Sequence, residues 1–81
     1  MNINILNLSR KITVEELSEL FKAYGMVESC DIVVDKQSGK SKGFGFVKML
    51  NHDEANDAIK SLHGKKIDGN KIRVKISNKT K

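Results

Sequence analysis

The chain has a single cysteine, Cys30, among 81 residues, and that scarcity closes off two architectures. A lone thiol excludes an internal disulfide framework. It also excludes a cysteine-based zinc site, because His52 and His63 have no second thiol to complete one. A reducing compartment is the natural setting. Long hydrophobic runs are missing too: nothing approaches the ~18 apolar residues of a membrane span. The opening MNINILNLSR has no basic region ahead of its apolar part, as a signal peptide would. The two chance sequons, at 7–9 and 78–80, then carry no weight. Arginine is nearly absent, with only Arg10 and Arg73.

What is present is lysine. The formal charge is +5, which favours an anionic partner such as nucleic acid. A solvated lysine-rich surface explains the charge alone equally well. Lysine acts on phosphate as a point charge, whereas arginine adds planar, bidentate recognition. Any polyanion binding from charge is therefore expected to be mostly non-specific. A chain of this length makes one domain with one core, burying about 60 % of its unfolded surface.

The apolar pattern alternates between two periods. INILNL reads as a strand with Ile3, Ile5 and Leu8 inward. TVEELSELFKAYG reads as a helix: Thr13 caps it, Glu16 completes a capping box, and Leu17, Leu20 and Phe21 form its stripe. Gly25 is expected to end it. ESCDIVVD is a second strand with Cys30, Ile32 and Val34 inward, followed by the turn-rich DKQSGKSKG. FGFVKML is a third strand. A second helix starts at the cap Asn51, with Glu54 three residues on, and ends on Gly64. Its stripe is Ala55, Ala58, Ile59 and Leu62. After the turn region KKIDGN, KIRVKI is a fourth strand with Ile72, Val74 and Ile76 inward.

The expected fold is therefore α+β: a βαββαβ, ferredoxin-like sandwich, with two helices on one face of a four-stranded antiparallel sheet. It forms a single domain over residues 1–77, with 78–81 as a short polar tail. The other sheet face is left open to solvent.

Period two assigns that open face. Val47 and Met49 go inward with Gly43 and Gly45, so Lys42, Phe44, Phe46 and Lys48 point outward. Beside them lie Asn4 and Leu6 from the first strand, Asp31 and Val33 from the second, and Lys71, Arg73 and Lys75 from the fourth. Two large aromatics on an open surface contribute little to folding. Flanked by lysines, they make a platform on which bases stack while cations meet the phosphates. The glycines between them are expected to keep the strand thin so that a helix packs closely beneath.

KGFGFVKM at 42–49 resembles the longer RNP motif of the RNA recognition motif family, K/R-G-F/Y-G/A-F-V-x-F/Y. INILNL resembles the family's shorter RNP motif. The similarity continues through LFKAYGMV, the lysine-rich loop, DEANDAI, LHGKKIDG and KIRV, in family order over nearly the whole chain. The resemblance implies single-stranded RNA binding on the sheet, with single-stranded DNA as a second ligand. It makes Phe44 and Phe46 the stacking or sugar-packing aromatics and Lys42 a phosphate contact.

Two positions depart from the family pattern. The second residue of the shorter motif is usually aromatic, and here it is Asn4; losing one base–aromatic stack, worth about 1–3 kcal/mol, should weaken binding. Asn4 could instead hydrogen-bond a base edge. Met49 replaces a terminal aromatic of the longer motif, but it points inward and serves packing only.

The remaining residues leave alternatives open. Leu6 and Val33 extend either the nucleic-acid surface or a protein contact. Asp31 accepts from a base amino group or pairs with a lysine such as Lys48. Lys36 and Lys40 in the loop reach backbone phosphates or are simply solvated. Ser77 and Asn78 are further possible contacts, by resemblance. GKS at 39–41 is not a P-loop, because its first glycine would fall on Val34 and a strand follows. An acylphosphatase-like hydrolase would use Arg10 after the first strand, but NLSRKIT has no glycine cradle.

The expectation is thus a protein without catalytic residues, cofactor or metal. It takes about two to four unpaired nucleotides, stacking bases on Phe44 and Phe46. Lys42, Lys48, Arg73 and Lys75 hold the backbone, with Asn4, Leu6 and Lys40 alongside. The competing expectation is a protein-interaction domain on a degenerate face. Because Met1 leads straight into the first strand, the resemblance implies a stand-alone bacterial protein, cytoplasmic (nuclear were its source eukaryotic). It would be a monomer, with weak self-association through Leu6 and Val33 left open, acting as an RNA chaperone or post-transcriptional regulator.

Overall fold

Alternating apolar residues make the strands and amphipathic stripes make the helices, in the order expected. The structure, a computed structural model, describes residues 1–77. Asn78 and the proposed tail fall outside the described residues. The elements are β1 (Asn2–Leu6), α1 (Val14–Lys22), β2 (Val27–Val34), β3 (Ser41–Met49), α2 (His52–Leu62), β4 (Lys66–Ile67), β5 (Asn70–Lys71) and β6 (Arg73–Ser77). The main sheet is antiparallel in the order β2-β3-β1-β6. The α1 helix packs over β2, and α2 packs over β6 and β3. Ile3, Ile5, Leu17, Phe21, Val47, Met49, Leu62, Ile72 and Val74 form the centre of the core between them. No helix among the described residues is long and apolar enough to cross a membrane.

Both helix starts are capped as expected. Thr13 Oγ1 accepts from Glu16 N and the Glu16 carboxylate accepts from Thr13 N, closing the capping box. Asn51 Oδ1 accepts from Glu54 N at 3.0 Å. The Glu54 carboxylate does not turn back to its own cap. It crosses to accept from Met26 N at 3.2 Å, tying the start of α2 to the turn before β2. This explains Gly25, which does not terminate α1, since the helix stops at Lys22 with Ala23 as its cap. A β-carbon at Gly25 would collide with the Glu54 side chain.

Four expectations are corrected. β1 ends at Leu6, because Asn7 adopts a left-handed φ of 61°; Leu8 still reaches the core from the loop. Val34 is not inward: the β2–β3 register shifts between Ile32 and Val34 and turns it out, leaving it 51 % exposed. Ile76 is also exposed, at the far end of the edge strand β6. KKIDGN is a β-hairpin, β4–β5, whose corner residues Asp68 and Gly69 both have positive φ, as a type I′ turn requires.

His63 caps the end of α2, and its Nδ1 accepts from Val74 N at 3.0 Å, stitching the helix to β6. Replacing His63 by Ala removes the acceptor from a partly buried amide. The expected loss is about 1 kcal/mol of stability, read as a lower urea midpoint at neutral pH.

Candidate nucleic-acid interface

Antiparallel pairing arranges the outward side chains in rows across the sheet. In the middle row Asp31 lies opposite Phe46, Phe46 opposite Asn4, and Asn4 opposite Lys75. In the next row Leu6 lies opposite Arg73, and the β1–β3 register carried one step further sets Phe44 beside Leu6. In the far row Ser29, Lys48, Asn2 and Ser77 follow one another. The sheet therefore brings Phe44, Phe46, Asn4, Leu6, Arg73 and Lys75 onto one surface, as the period-two reading required.

Phe44 and Phe46 are 38 % and 45 % exposed, with no helix among the described residues over them. Val47 and Met49, on the opposite side of the same strand, are fully buried, which settles the register of β3. The glycines between them do not make room for a helix. A β-carbon at Gly45 would lie 2.5 Å from the Asp31 carbonyl oxygen, so the crowding comes from the neighbouring strand β2. Gly43, at φ 88°, lets its carbonyl accept from Leu8 N at 2.8 Å, which holds the loop after β1 against β3.

The charged residues divide. Lys48 Nζ lies 3.6 Å from Glu28 Oε1, across on β2. That pair is exposed and weak, yet it turns Lys48 toward a carboxylate. Asp31 forms no ion pair with a lysine among the described residues; its Oδ1 accepts from Ile32 N at 2.9 Å. Lys42, Arg73 and Lys75 make no ion pair among the described residues. Lys40 closes the β2–β3 loop through its carbonyl, which accepts from Asp35 N at 2.8 Å; its side chain is exposed beyond the sheet, as is that of Lys36. Leu6 and Val33 are only half exposed, so they add less free apolar area than their outward direction suggested.

Sequence reasoning did not connect Arg10 and Lys11 to this face. They line an open groove with Lys42 and Phe44 at the end of β1. The signal was available in the antiparallel order, which brings the residue after β1 to the start of β3. Arg10 sits in a hydrogen-bonded turn, not in a glycine cradle of the acylphosphatase kind.

Cys30 lies half-buried on β2, its Sγ 3.7 Å from the Val14 carbonyl oxygen. Burial, with the Asp31 charge adding to it and Lys22 opposing, pushes its pKa up to about 11. The thiolate is therefore scarce at neutral pH. Alkylation by iodoacetamide should be slow there and rise about tenfold per pH unit until the thiol titrates; a fast, pH-independent reaction would contradict that environment.

Among the described residues, a split-βαβ sandwich with an uncovered sheet face, two aromatics on its third strand and unpaired cations around them defines a class of proteins. The family model described as the RNA recognition motif matches residues 3–73, and the chain belongs to that family. It is 41 % identical over 71 residues to the chloroplastic 28 kDa ribonucleoprotein of Spinacia oleracea, covering 88 % of this chain. It is 36 % identical over 77 residues to the small ribosomal subunit protein cS22 of Arabidopsis thaliana, covering 95 % of this chain. The chain spans 30 % of the length of each of these relatives. The crystal structure of RNA Binding Protein PG1 superposes with a TM-score of 0.94 at 36 % identity, covering 100 % of this chain and 98 % of that one. Both curated relatives are plant proteins, one of them chloroplastic by name, and neither supports the bacterial source or the cytoplasmic location expected above.

Proposed function

We propose that the open sheet face binds single-stranded RNA, with Phe44 and Phe46 each receiving a base or ribose. The observation that carries this reading is the pair of exposed phenylalanines in a row structure that also contains Asn4, Arg73 and Lys75. Residues two apart on a strand are separated by about 6.8 Å, twice the ~3.4 Å rise of stacked nucleic acid. Neighbouring bases must therefore unstack from one another to occupy both rings. An unpaired strand does this readily; a duplex does not.

Lys42, Arg73 and Lys75 hold the phosphates, while Lys48 contributes less because Glu28 competes for it. Asn4, between Phe46 and Lys75, hydrogen-bonds a base edge. Three phosphate contacts correspond to a slope of log K against log salt near −2. The names of the relatives, a ribonucleoprotein and a ribosomal-subunit protein, support RNA as the ligand. Single-stranded DNA stacks on the same rings, and a contact to the 2′-hydroxyl would separate the two. Broad, lysine-driven binding of this kind suits an RNA chaperone or post-transcriptional regulator acting as a monomer. The half-buried Leu6 and Val33 favour this reading over a protein-docking face.

The test is an amide-shift titration with short random-sequence pools of RNA and of DNA at two salt concentrations, following Asn4, Phe44, Phe46 and Arg73. Salt-sensitive shifts confined to the sheet are expected. A silent sheet with both pools would sink the proposal. Replacing Asn4 by Tyr supplies the third aromatic, worth about 1–3 kcal/mol of stacking, against the loss of a hydrogen bond worth about 1 kcal/mol; the expected net result is binding tighter by up to roughly thirtyfold. Unchanged affinity in that variant would mean that bases do not reach the centre of the sheet.

A further inference from the structure

We infer that the groove at the end of β1 is an additional nucleotide subsite, which takes the single strand onward past Phe44. This rests on the sheet-binding reading above and specifies the end at which the strand leaves the platform. The groove has a volume of about 600 Å³, and Asn7, Arg10, Lys11, Lys42, Phe44 and Asn70 are among the residues that line it. That lies within the ~300–1,000 Å³ of small-ligand sites and is ample for one nucleotide. Phe44 belongs both to the groove wall and to the sheet platform, so a strand lying on Phe44 passes into the groove without a gap.

The cations are held in place by the local backbone. Ile12 N donates to the Ser9 carbonyl at 3.1 Å, closing a turn whose two corner residues are Arg10 and Lys11. Lys11 N also donates to Ser9 Oγ at 3.2 Å. Ser9 Oγ in turn donates to Asp68 Oδ2 at 2.6 Å, anchoring the turn to the β4–β5 hairpin. Asn7 Nδ2 donates to the Lys71 carbonyl at 2.8 Å and Asn70 Nδ2 to the Asn7 carbonyl at 3.3 Å. Loop and hairpin are thus clamped to each other, and the groove between them exists before any ligand arrives. Little ordering is then required on binding.

The electrostatics favour a phosphate. Arg10, Lys11 and Lys42 make no ion pair among the described residues. Asp68, the carboxylate close to the loop, accepts from the Ser9 hydroxyl and forms no ion pair with Arg10 or Lys11 among the described residues. Each asparagine amide gives one of its two N–H donors to a backbone carbonyl, leaving the second N–H and the oxygen for a base edge or a ribose hydroxyl. Among the described residues the opposite end of the sheet offers no equivalent cluster: there Lys48 faces Glu28.

The experiment compares random-sequence RNA tetranucleotides with octanucleotides on the wild type, an Arg10→Gln, Lys11→Gln double variant, and a Lys22→Gln, Lys60→Gln control that removes equal charge from the helical side. For the wild type the octanucleotide should bind about tenfold tighter, with new amide shifts at Arg10, Lys11 and Asn70. The Arg10/Lys11 variant should lose that gain, keep wild-type affinity for the tetranucleotide, and show a salt slope shallower by about 1.4, from two phosphates at ~0.7 each. The control should keep the gain. The subsite is overturned if the Arg10/Lys11 variant retains the gain, or if the control loses as much. It is equally overturned if the octanucleotide shifts Phe46 but leaves Arg10 and Lys11 silent. These outcomes leave the sheet reading standing. Absence of binding to either length, with Phe46 silent, removes both.

Discussion

Alanine at both Phe44 and Phe46 should weaken binding of short single-stranded RNA by about 2–6 kcal/mol, between roughly thirtyfold and more than ten-thousandfold in Kd. Each ring is worth about 1–3 kcal/mol as a stacking surface because a base face displaces water from an aromatic face and makes close dispersion contact with it. Both rings are already a third or more exposed, so truncation removes little from the core. Stability should fall by no more than about 1 kcal/mol, the scale of a lost cross-strand pair. Lys42, Arg73 and Lys75 remain in the variant, and what binding survives should be more steeply weakened by salt relative to its total strength. Fluorescence anisotropy with a labelled RNA pool reads the first effect, and urea denaturation the second. Retention of wild-type affinity by the folded variant would show that charge alone holds the polyanion and that the aromatics have another purpose.

The largest effect on the fold should come from the smallest substitution, Gly45→Ala. The added methyl would lie 2.5 Å from the Asp31 carbonyl oxygen, 3.1 Å from Ile32 Cα and 3.2 Å from Ile32 Cγ1. Two of these neighbours are backbone of β2, paired with β3 through Ile32 opposite Gly45, and cannot rotate away. The two strands must separate locally or shift register. Overpacking of this kind costs typically 1–3 kcal/mol, against a stability near the low end of the ~5–15 kcal/mol of small domains. With a urea m-value of about 1 kcal/mol/M, the midpoint should drop by ~1–3 M. Binding should weaken as well, since the same pairing sets Phe46 beside Asp31 and Asn4. An unchanged midpoint would mean that β2 and β3 part without penalty.

The two predictions concern adjacent residues of one strand that were not equally legible. That Phe46 faces out follows from period two: Val47 and Met49 must be inside, and a one-residue slip would bury neither. What Gly45 avoids could not be read the same way. The sequence suggests a helix beneath it, whereas the obstacle is the backbone of β2, whose position depends on pairing between residues well separated in the chain. Val34 and Ile76 show the same limit. Both continue an inward alternation, yet a register shift turns one out and the end of an edge strand uncovers the other.

The sequence by itself determined the order of the two helices and the four strands of the main sheet, the capping box or cap at Thr13 and Asn51, and the outward aromatics. Each rests on residues within a few positions of one another, where side-chain direction and local hydrogen bonding follow from backbone period alone. The tertiary structure decided the rest: Glu54 reaching across to Met26 past Gly25, Lys48 turned toward Glu28, and Ser9 tied to Asp68 so that Arg10 and Lys11 line a groove with Lys42. Those contacts join residues from different elements, and only the packed sheet brings them within hydrogen-bond reach.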